Sequence, residues 1–409
     1  MTAREIALTV LQGLEDREKK SGTLLHDLLE DAPLEQKDRS LATELVNGVL
    51  RRRMTLDAVI ERFYLHRYDK ASSAIKNILR IGAYQLLYLN RIPVWAAVSE
   101  SVRLARKCKG ERMARLVNAV LRKISPETTV REILQAQPEG IRRMAIGSSH
   151  PEWLIERWLR RYGAETTSAI LDYNNRSPLF GFRINTLKTT PETISASLPG
   201  SASNRIQAEG LGNFFLSESF TGFEPLLREG LLSVQNPTQG LACLLCGAHA
   251  GDTVLDLCAA PGGKSTFLAE LMQDQGEITA VDRYPGKLEN LKRHATALGI
   301  SIIETAAADA RSLVPPKQPA IILLDAPCSG SGVLGRRAEL RWKLSPEKIG
   351  QLASLQQELL DHAAALLGEN GILVYATCSI EPEENELQIK EFLEDRKSTR
   401  LNSSHLAES

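Results

Sequence analysis

From Val234 onward the chain alternates short apolar runs with amphipathic stretches, and this alternation constrains the fold more than any other feature. Residues 253–257, 277–281, 302–306, 320–324 and 371–376 read as strands. Residues 264–272, 285–298, 346–367 and 383–394 have helical spacing. Strands that alternate with helices predict a parallel, doubly wound sheet. In such a sheet the loops that handle ligands follow the carboxyl ends of the strands. Three polar, turn-forming segments fall there: Asp256-Leu-Cys-Ala-Ala-Pro-Gly-Gly-Lys264, Asp325-Ala-Pro-Cys328 and Tyr375-Ala-Thr-Cys378-Ser.

Upstream, residues 1–125 read as all helix, with apolar stripes over 6–14, 41–50, 56–63, 75–89, 97–105 and 116–121. The formal net charge of the whole chain is zero, yet residues 51–125 hold 17 Lys/Arg against 5 Asp/Glu. A basic lobe on a neutral chain is a polyanion footprint, although a solvated Arg-rich helix surface gives the same count. Residues 126–235 are mixed and predict a small α+β module of βαβ type. Within it Pro151 opens a helix, Arg183-Ile-Asn-Thr-Leu-Lys188 alternates like a strand, Thr190 starts a short helix and 210–216 returns as a strand. The catalytic-type domain then spans 236–394. Residues 395–409 read as a non-native, adapter-derived tail, so the native end of the chain, with the last strands of the sheet, is expected to be missing.

At 409 residues the chain can hold two or three cores. No apolar stretch reaches the roughly 18 residues of a membrane helix, and Met1-Thr-Ala-Arg-Glu5 lacks a secretory signal's apolar core. Six cysteines are too sparse for a disulfide framework, which points to a reducing cytoplasm. Cys243-Leu-Leu-Cys246 sits in an apolar run without a second ligand pair, so a packed helix face is expected there and no metal site.

The loop Cys258-Ala259-Ala260-Pro261-Gly262-Gly263-Lys264 is neither a dinucleotide fingerprint nor a P-loop, but its glycines let backbone approach a ligand at a helix N-terminus. Asp282 ends the next strand, where a carboxylate can grip ribose hydroxyls, and Asp309 ends the third, within reach of an adenine amino group. Singly, each aspartate would equally be a cap or turn residue. With the loop, they favour an adenosine-type ligand.

These segments, with Pro382-Glu-Glu-Asn385, resemble the RNA cytosine-5 methyltransferases of the Nop/Sun family in order and spacing. Arg183-Ile-Asn-Thr-Leu-Lys188 and Gln235-Asn-Pro-Thr-Gln239 resemble that family's pre-catalytic elements, and the first 125 residues are similar to NusB-type RNA-binding domains. The resemblance implies a multidomain chain: an all-α NusB-like domain, a small α+β domain and a Rossmann-like methyltransferase with a mostly parallel sheet. It implies S-adenosylmethionine as cofactor and 16S ribosomal RNA as partner, and a monomer is expected. It assigns Cys378 as nucleophile, Cys328 to product release, and Asp325 to the ring's nitrogen-3 side. RNA contacts are expected from Arg183, Asn185, Arg336, Arg337 and Arg341, with Trp342 stacking on a neighbouring base. Lys264 is expected to be a cation near the thiols or a simple loop residue.

Two departures from the family pattern stand out: Asn236 replaces an acidic residue, and Ala308-Asp309-Ala310 replaces a more Gly-rich turn. A DNA cytosine-5 methyltransferase would use the Pro-Cys thiol and would leave Thr377-Cys378 unexplained. Methylation of transfer RNA, or a non-catalytic NusB-like RNA-binding factor, are the other readings of the same residues.

Overall fold

The computed structural model describes residues 1–15, 21–125, 129–197, 206–207 and 211–395, so the tail expected over 395–409 lies, from 396 on, outside the described residues. The chain divides into two compact units, Met1–Ser177 with Val333–Leu344, and Pro178–Gly332 with the residues from Ser345 onward.

The first unit is helical: α1 (Ala3–Gly13), α2 (Ser21–Glu30), α3 (Gln36–Phe63), α4 (Ser73–Tyr88), α5 (Val94–Leu121), α6 (Thr129–Ala136), α7 (Ile141–Ser148) and α8 (Glu152–Asn175). Thr2 opens α1 with a capping box. Its hydroxyl accepts from Glu5 N at 3.3 Å, and the Glu5 carboxylate accepts from Thr2 N at 3.0 Å. The stripes expected at 41–50 and 56–63 run together as α3, because no Gly or Pro interrupts 49–63. The stripes at 97–105 and 116–121 form α5, which Gly110 kinks (φ 79°, ψ 179°), a backbone state that favours glycine. Apolar faces of α1, α3, α4 and α5 share one core with Ile6, Leu45, Leu56, Ile78 and Val117 fully buried. The unit boundary at Ser177 falls inside the stretch expected to be one α+β module, since α6 and α7 pack on α3.

Residues 333–344 belong to this helical unit, although they follow the Pro-Cys loop by only a few positions. Ala338 is buried in the helical core and Trp342 packs against it. The Trp342 indole donates to Leu50 O at 2.8 Å.

The second unit holds two sheets. The small one has β1 (Phe180–Ile184), β2 (Ile206–Gln207), β3 (Phe214–Ser217) and β4 (Leu232–Val234) in the order β2-β3-β1-β4, with α9 (Pro191–Ser197) and α10 (Glu224–Arg228). Every pairing in it is antiparallel, yet β1 and β2 both pair with β3 and so run the same way with α9 between them, a split βαβ; the strand expected over 210–216 is β3, which lies between them and opposes both. Phe182, Phe215 and Phe223 stack beneath it and supply its apolar face.

The large sheet contains β5 (Thr253–Leu257), β6 (Glu277–Asp282), β7 (Ile303–Ala307), β8 (Ile321–Asp325) and β9 (Ile372–Ala376), all parallel, in the order β7-β6-β5-β8-β9. Its helices are α11 (Pro237–Leu245), α12 (Gly263–Leu271), α13 (Pro285–Leu298), α14 (Pro346–Leu366) and α15 (Glu386–Asp395). The predicted alternation from 234 onward is therefore realised as a Rossmann-like sheet, with near-continuous Ile/Leu/Val runs because both faces are covered. Among the described residues β9 is the terminal strand. No helix of the described residues is long and apolar enough to cross a membrane.

Candidate active site

Strand order sets the site. Moving across the carboxyl edge from β7 to β9, the chain presents Asp309, Asp282, the loop Cys258–Gly262, Asp325 and Cys378 in sequence. The loop turns sharply: Cys258 takes a positive φ of 62°, Ala260–Pro261 is cis, and Gly262 caps α12 at φ 102°. A Cβ on Gly262 would lie 2.4 Å from Leu291 Cγ, so no other residue fits without displacing the Leu291 side chain. Asp256 is fully buried beneath the loop and accepts from Ser265 Oγ at 2.6 Å. Burial, opposed by that hydrogen bond, pushes its carboxyl up to about 7. Asp282 accepts from Tyr284 N at 2.9 Å. Asp309 accepts from Arg311 N and Nε at 3.0 Å each and from Arg311 Nη2 at 2.7 Å, and these bonds hold it well below the usual carboxylate range.

The two cysteine loops meet at the β8 and β9 ends. Cys328 Sγ and Cys378 Sγ are 3.2 Å apart, and Cys378 N donates to Cys328 Sγ at 3.3 Å. Cys378 is exposed. The contact with Cys378, reinforced by burial, pushes the Cys328 thiol well up. Burial and the surrounding carboxylates push Cys258 up to about 12, which makes it an inert thiol beside the loop. Lys264 Nζ donates to Asp325 at 2.6 Å. Burial opposes its charge, but Asp325 outweighs burial and raises the Lys264 pKa above its ordinary value.

Both cysteines are followed by serine, and the serines tie the loops together. Ser329 Oγ and Ser379 Oγ are 3.1 Å apart, with Ser331 Oγ 3.2 Å from Ser379 Oγ. Glu384 lies buried behind them, accepting from Ser329 N at 2.7 Å, from Ser329 Oγ and from Gln356 Nε2 at 3.1 Å. Asn385 accepts from Thr377 Oγ1 at 2.6 Å and donates to Ser379 O and Glu381 O at 2.9 Å. The Tyr375 hydroxyl closes the network, donating to Glu384 O at 2.8 Å.

Comparison with known proteins gives this geometry its context. The probable ribosomal RNA small subunit methyltransferase B of Synechocystis sp. is 34% identical over 98% of this chain and 91% of its own length. The probable methyltransferase B of Bacillus subtilis is 33% identical over 96% and 88%. The chain belongs to this family. Three family models match along it: NusB over residues 1–126, the ferredoxin-like domain of RsmF/B-like methyltransferases over 150–209, and the 16S rRNA methyltransferase RsmB/F over 243–409. Among solved structures, that of PH0851 superposes with a TM-score of 0.80 at 26% identity, covering 96% of this chain and 89% of that one. A methyltransferase homologue from Pyrococcus horikoshii has a TM-score of 0.56 at 27% identity, over 64% and 83%.

A methyltransferase of this family with a Rossmann-like domain uses S-adenosylmethionine, and the edge fits it. The loop Cys258–Gly262 leads into the α12 N-terminus, and the Asp282 carboxylate at the end of β6 suits ribose hydroxyls.

Within this RsmB-family chain, three of the residues expected to touch RNA serve the interior instead. Arg183 is 0% exposed and donates to Glu270 Oε1 at 2.7 Å, Gly263 O at 2.9 Å, Thr266 Oγ1 at 3.1 Å and Gln235 Oε1. It pins the small sheet to the first turn of α12. Asn185 is equally buried and donates to Gly230 O and Leu298 O at 2.8 Å. Arg341, 0% exposed, donates to Arg51 O at 3.0 Å, Asn175 Oδ1 at 2.9 Å and Asn174 O. The reason is the same in each case: a buried backbone carbonyl or carboxylate needs a donor, and these side chains supply it. Arg336 and Arg337 are exposed. Trp342, expected to stack on a base, packs on the helical core. Asn236 caps α11, its side chain accepting from Thr238 N at 3.1 Å. Cys243 and Cys246 are buried on α11, as a packed helix face requires.

Sequence reasoning missed Glu384, Gln356, Glu270 and the serine cluster. The signal was there in the Cys-Ser repeat and in Pro382-Glu-Glu-Asn385, which had no role attached. Glu384→Gln is expected to lower kcat for methyl transfer by about 10²-fold, because an amide cannot accept from all three donors and the cysteine loops shift. Cofactor affinity by calorimetry should stay within about threefold, since Glu384 lies off the β5–β7 edge. A kcat unchanged within about twofold would show that Glu384 does not hold the loops.

Proposed function

We propose that the chain methylates carbon 5 of a cytosine in 16S ribosomal RNA through a covalent adduct between Cys378 and carbon 6. The observation that carries this reading is the pair of thiols 3.2 Å apart beside the Lys264–Asp325 ion pair. Cytosine carbon 5 is a poor nucleophile, and addition of a thiolate at carbon 6 makes the ring enamine-like. S-adenosylmethionine supplies an electrophilic methyl group on its sulfonium.

The protein's own groups divide the remaining work. Cys378, the exposed thiol of the pair, gives up its proton to solvent and forms the sulfur–carbon bond. Asp325, oriented by Lys264, meets the nitrogen-3 side of the ring, and the Lys264 ammonium paired with it offsets the negative charge that develops there. After methylation the carbon-5 proton passes to solvent water, its electron pair forms the carbon-5–carbon-6 double bond, and the Cys378 sulfur leaves with the sulfur–carbon pair as a thiolate. Cys328, at 3.2 Å, is placed to assist that release. A base must be unpaired or flipped for Cys378 to reach carbon 6. Arg336 and Arg337 and the basic helical unit supply electrostatic attraction for the backbone.

Full-length protein incubated with methyl-labelled S-adenosylmethionine and 16S transcript, followed by nucleoside mass spectrometry, tests the proposal. Label in 5-methylcytidine is the expected result. Label in another nucleoside, or on transfer RNA alone, would overturn it.

A further inference from the structure

The kink at Gly110 divides α5 into two arms that together line an open groove within the helical unit. The first arm contributes Val94, Trp95, Val98, Ser99, Val102 and Arg106; the second and its extension contribute Asn118, Leu121, Arg122 and Ile124. The groove encloses about 700 Å³, within the roughly 300–1,000 Å³ of small-ligand sites. Its floor is aliphatic, its rim polar.

Trp95 is 74% exposed and Val94 53% exposed, a large apolar surface for a residue pair in the first turn of a helix. Among the described residues the Trp95 ring forms no stacking or cation–π pair, whereas Trp158 is wholly buried and Trp342 packs on the core. Charge sets the class of occupant. Helix α5 carries Arg103, Arg106, Lys107, Lys109, Arg112 and Arg115 against Glu100 and Glu111. Arg103, Arg106 and Lys107 spend their charge on Glu100, Glu111 and Glu5. Arg112, Arg115 and Arg122 form no ion pair among the described residues, and Arg122 stands on the groove's rim.

An indole face, an unpaired guanidinium and an amide within one groove match an unpaired nucleobase with its phosphate. We propose that this groove holds single-stranded RNA, with one base stacked on Trp95, its phosphate on Arg122 and its edge against Asn118. The inference rests on the RNA-methylating reading above and locates a second contact with the substrate, on the helical unit and separate from the cysteines. An apolar peptide would use the floor but leave Arg122 without counter-charge.

The test uses the full chain and a short single-stranded RNA carrying 5-iodouridine, alongside a duplex of the same sequence. Photocrosslinking should tag the peptide that contains Trp95 with the single strand and not with the duplex. Trp95→Ala should weaken single-strand binding about tenfold, while Trp95→Phe stays within about threefold, because a phenyl ring still stacks. Arg122→Gln should reduce the salt dependence by about one phosphate contact. Crosslinks elsewhere with unchanged affinity in Trp95→Ala would overturn the inference while wild-type methyl transfer to RNA continues. Trp95→Ala that binds bare RNA normally but loses methylation only on a protein-containing ribosomal particle would assign the groove to a protein, and also overturn it. Wild-type protein that neither binds RNA nor methylates it would sink the methyltransferase reading and this inference together.

Discussion

Cys378→Ala protein should lose turnover by at least about 10⁴-fold, whereas Cys328→Ala should accumulate as a protein–RNA adduct on a denaturing gel. The asymmetry follows from the site. Cys378 is exposed at the end of β9, and Cys328 is the more enclosed thiol, its pKa pushed up by the contact with Cys378 and by burial. Without Cys378 no bond to carbon 6 forms, and nothing makes carbon 5 nucleophilic. Without Cys328 the bond still forms, but its release is impaired, so the intermediate collects. The adduct should need S-adenosylmethionine and vanish in the Cys328→Ala/Cys378→Ala double variant. An adduct that persisted in Cys378→Ala alone and disappeared in Cys328→Ala would exchange the two roles.

The second large effect concerns stability. Arg183→Met is expected to cost the second unit about 3–5 kcal/mol, read from the shift of its urea transition, because Glu270 is left buried without a counter-charge. Arg183→Met/Glu270→Leu should recover most of the loss, since removing both charges removes the desolvation penalty as well. The pH dependence has a defined sign. Burial, opposed by Arg183, holds Glu270 up at about 7, above its ordinary value of 4.5. The folded state therefore disfavours the ionised form, and this group's contribution to stability falls as pH rises from about 4.5 through about 7. In Arg183→Met the folded value moves higher, so the decline should continue to more alkaline pH and the variant should be least impaired in mild acid. A double variant no better than the single one would mean that Arg183 matters through Gly263 O and Gln235, not through Glu270.

What could be read from the sequence divides along physical lines. The five parallel strands were legible because buried strands leave continuous Ile/Leu/Val runs, and β5 begins and ends where its apolar run does. Cys328, Cys378 and Asp325 were legible because polar turns directly after such strands have one place to be. The roles of Arg183 and Arg341 were not. A guanidinium is judged by what it meets, and Glu270 is 87 residues from Arg183 while Arg51 is 290 from Arg341. Local sequence shows a cation and leaves open whether it faces solvent or a buried carbonyl. The small sheet's antiparallel pairing was illegible for a related reason, since strands as short as β2 and β4 carry too little pattern to set direction. Helix α2 escaped notice because Ser-Gly-Thr at its start reads as a turn.

The excursion of residues 333–344 bears on how such a chain can be inherited. A genetic exchange that replaced everything upstream of Ser177 would deliver helices whose core still awaited Ala338, Arg341 and Trp342 from the recipient's own downstream sequence. Donor and recipient would have to agree at Arg51 O, Leu50 O and Asn175 before the borrowed helices closed properly. Shuffling by simple end-to-end fusion is therefore penalised after the fact, and substitutions on the two sides of that seam are expected to change in step across lineages.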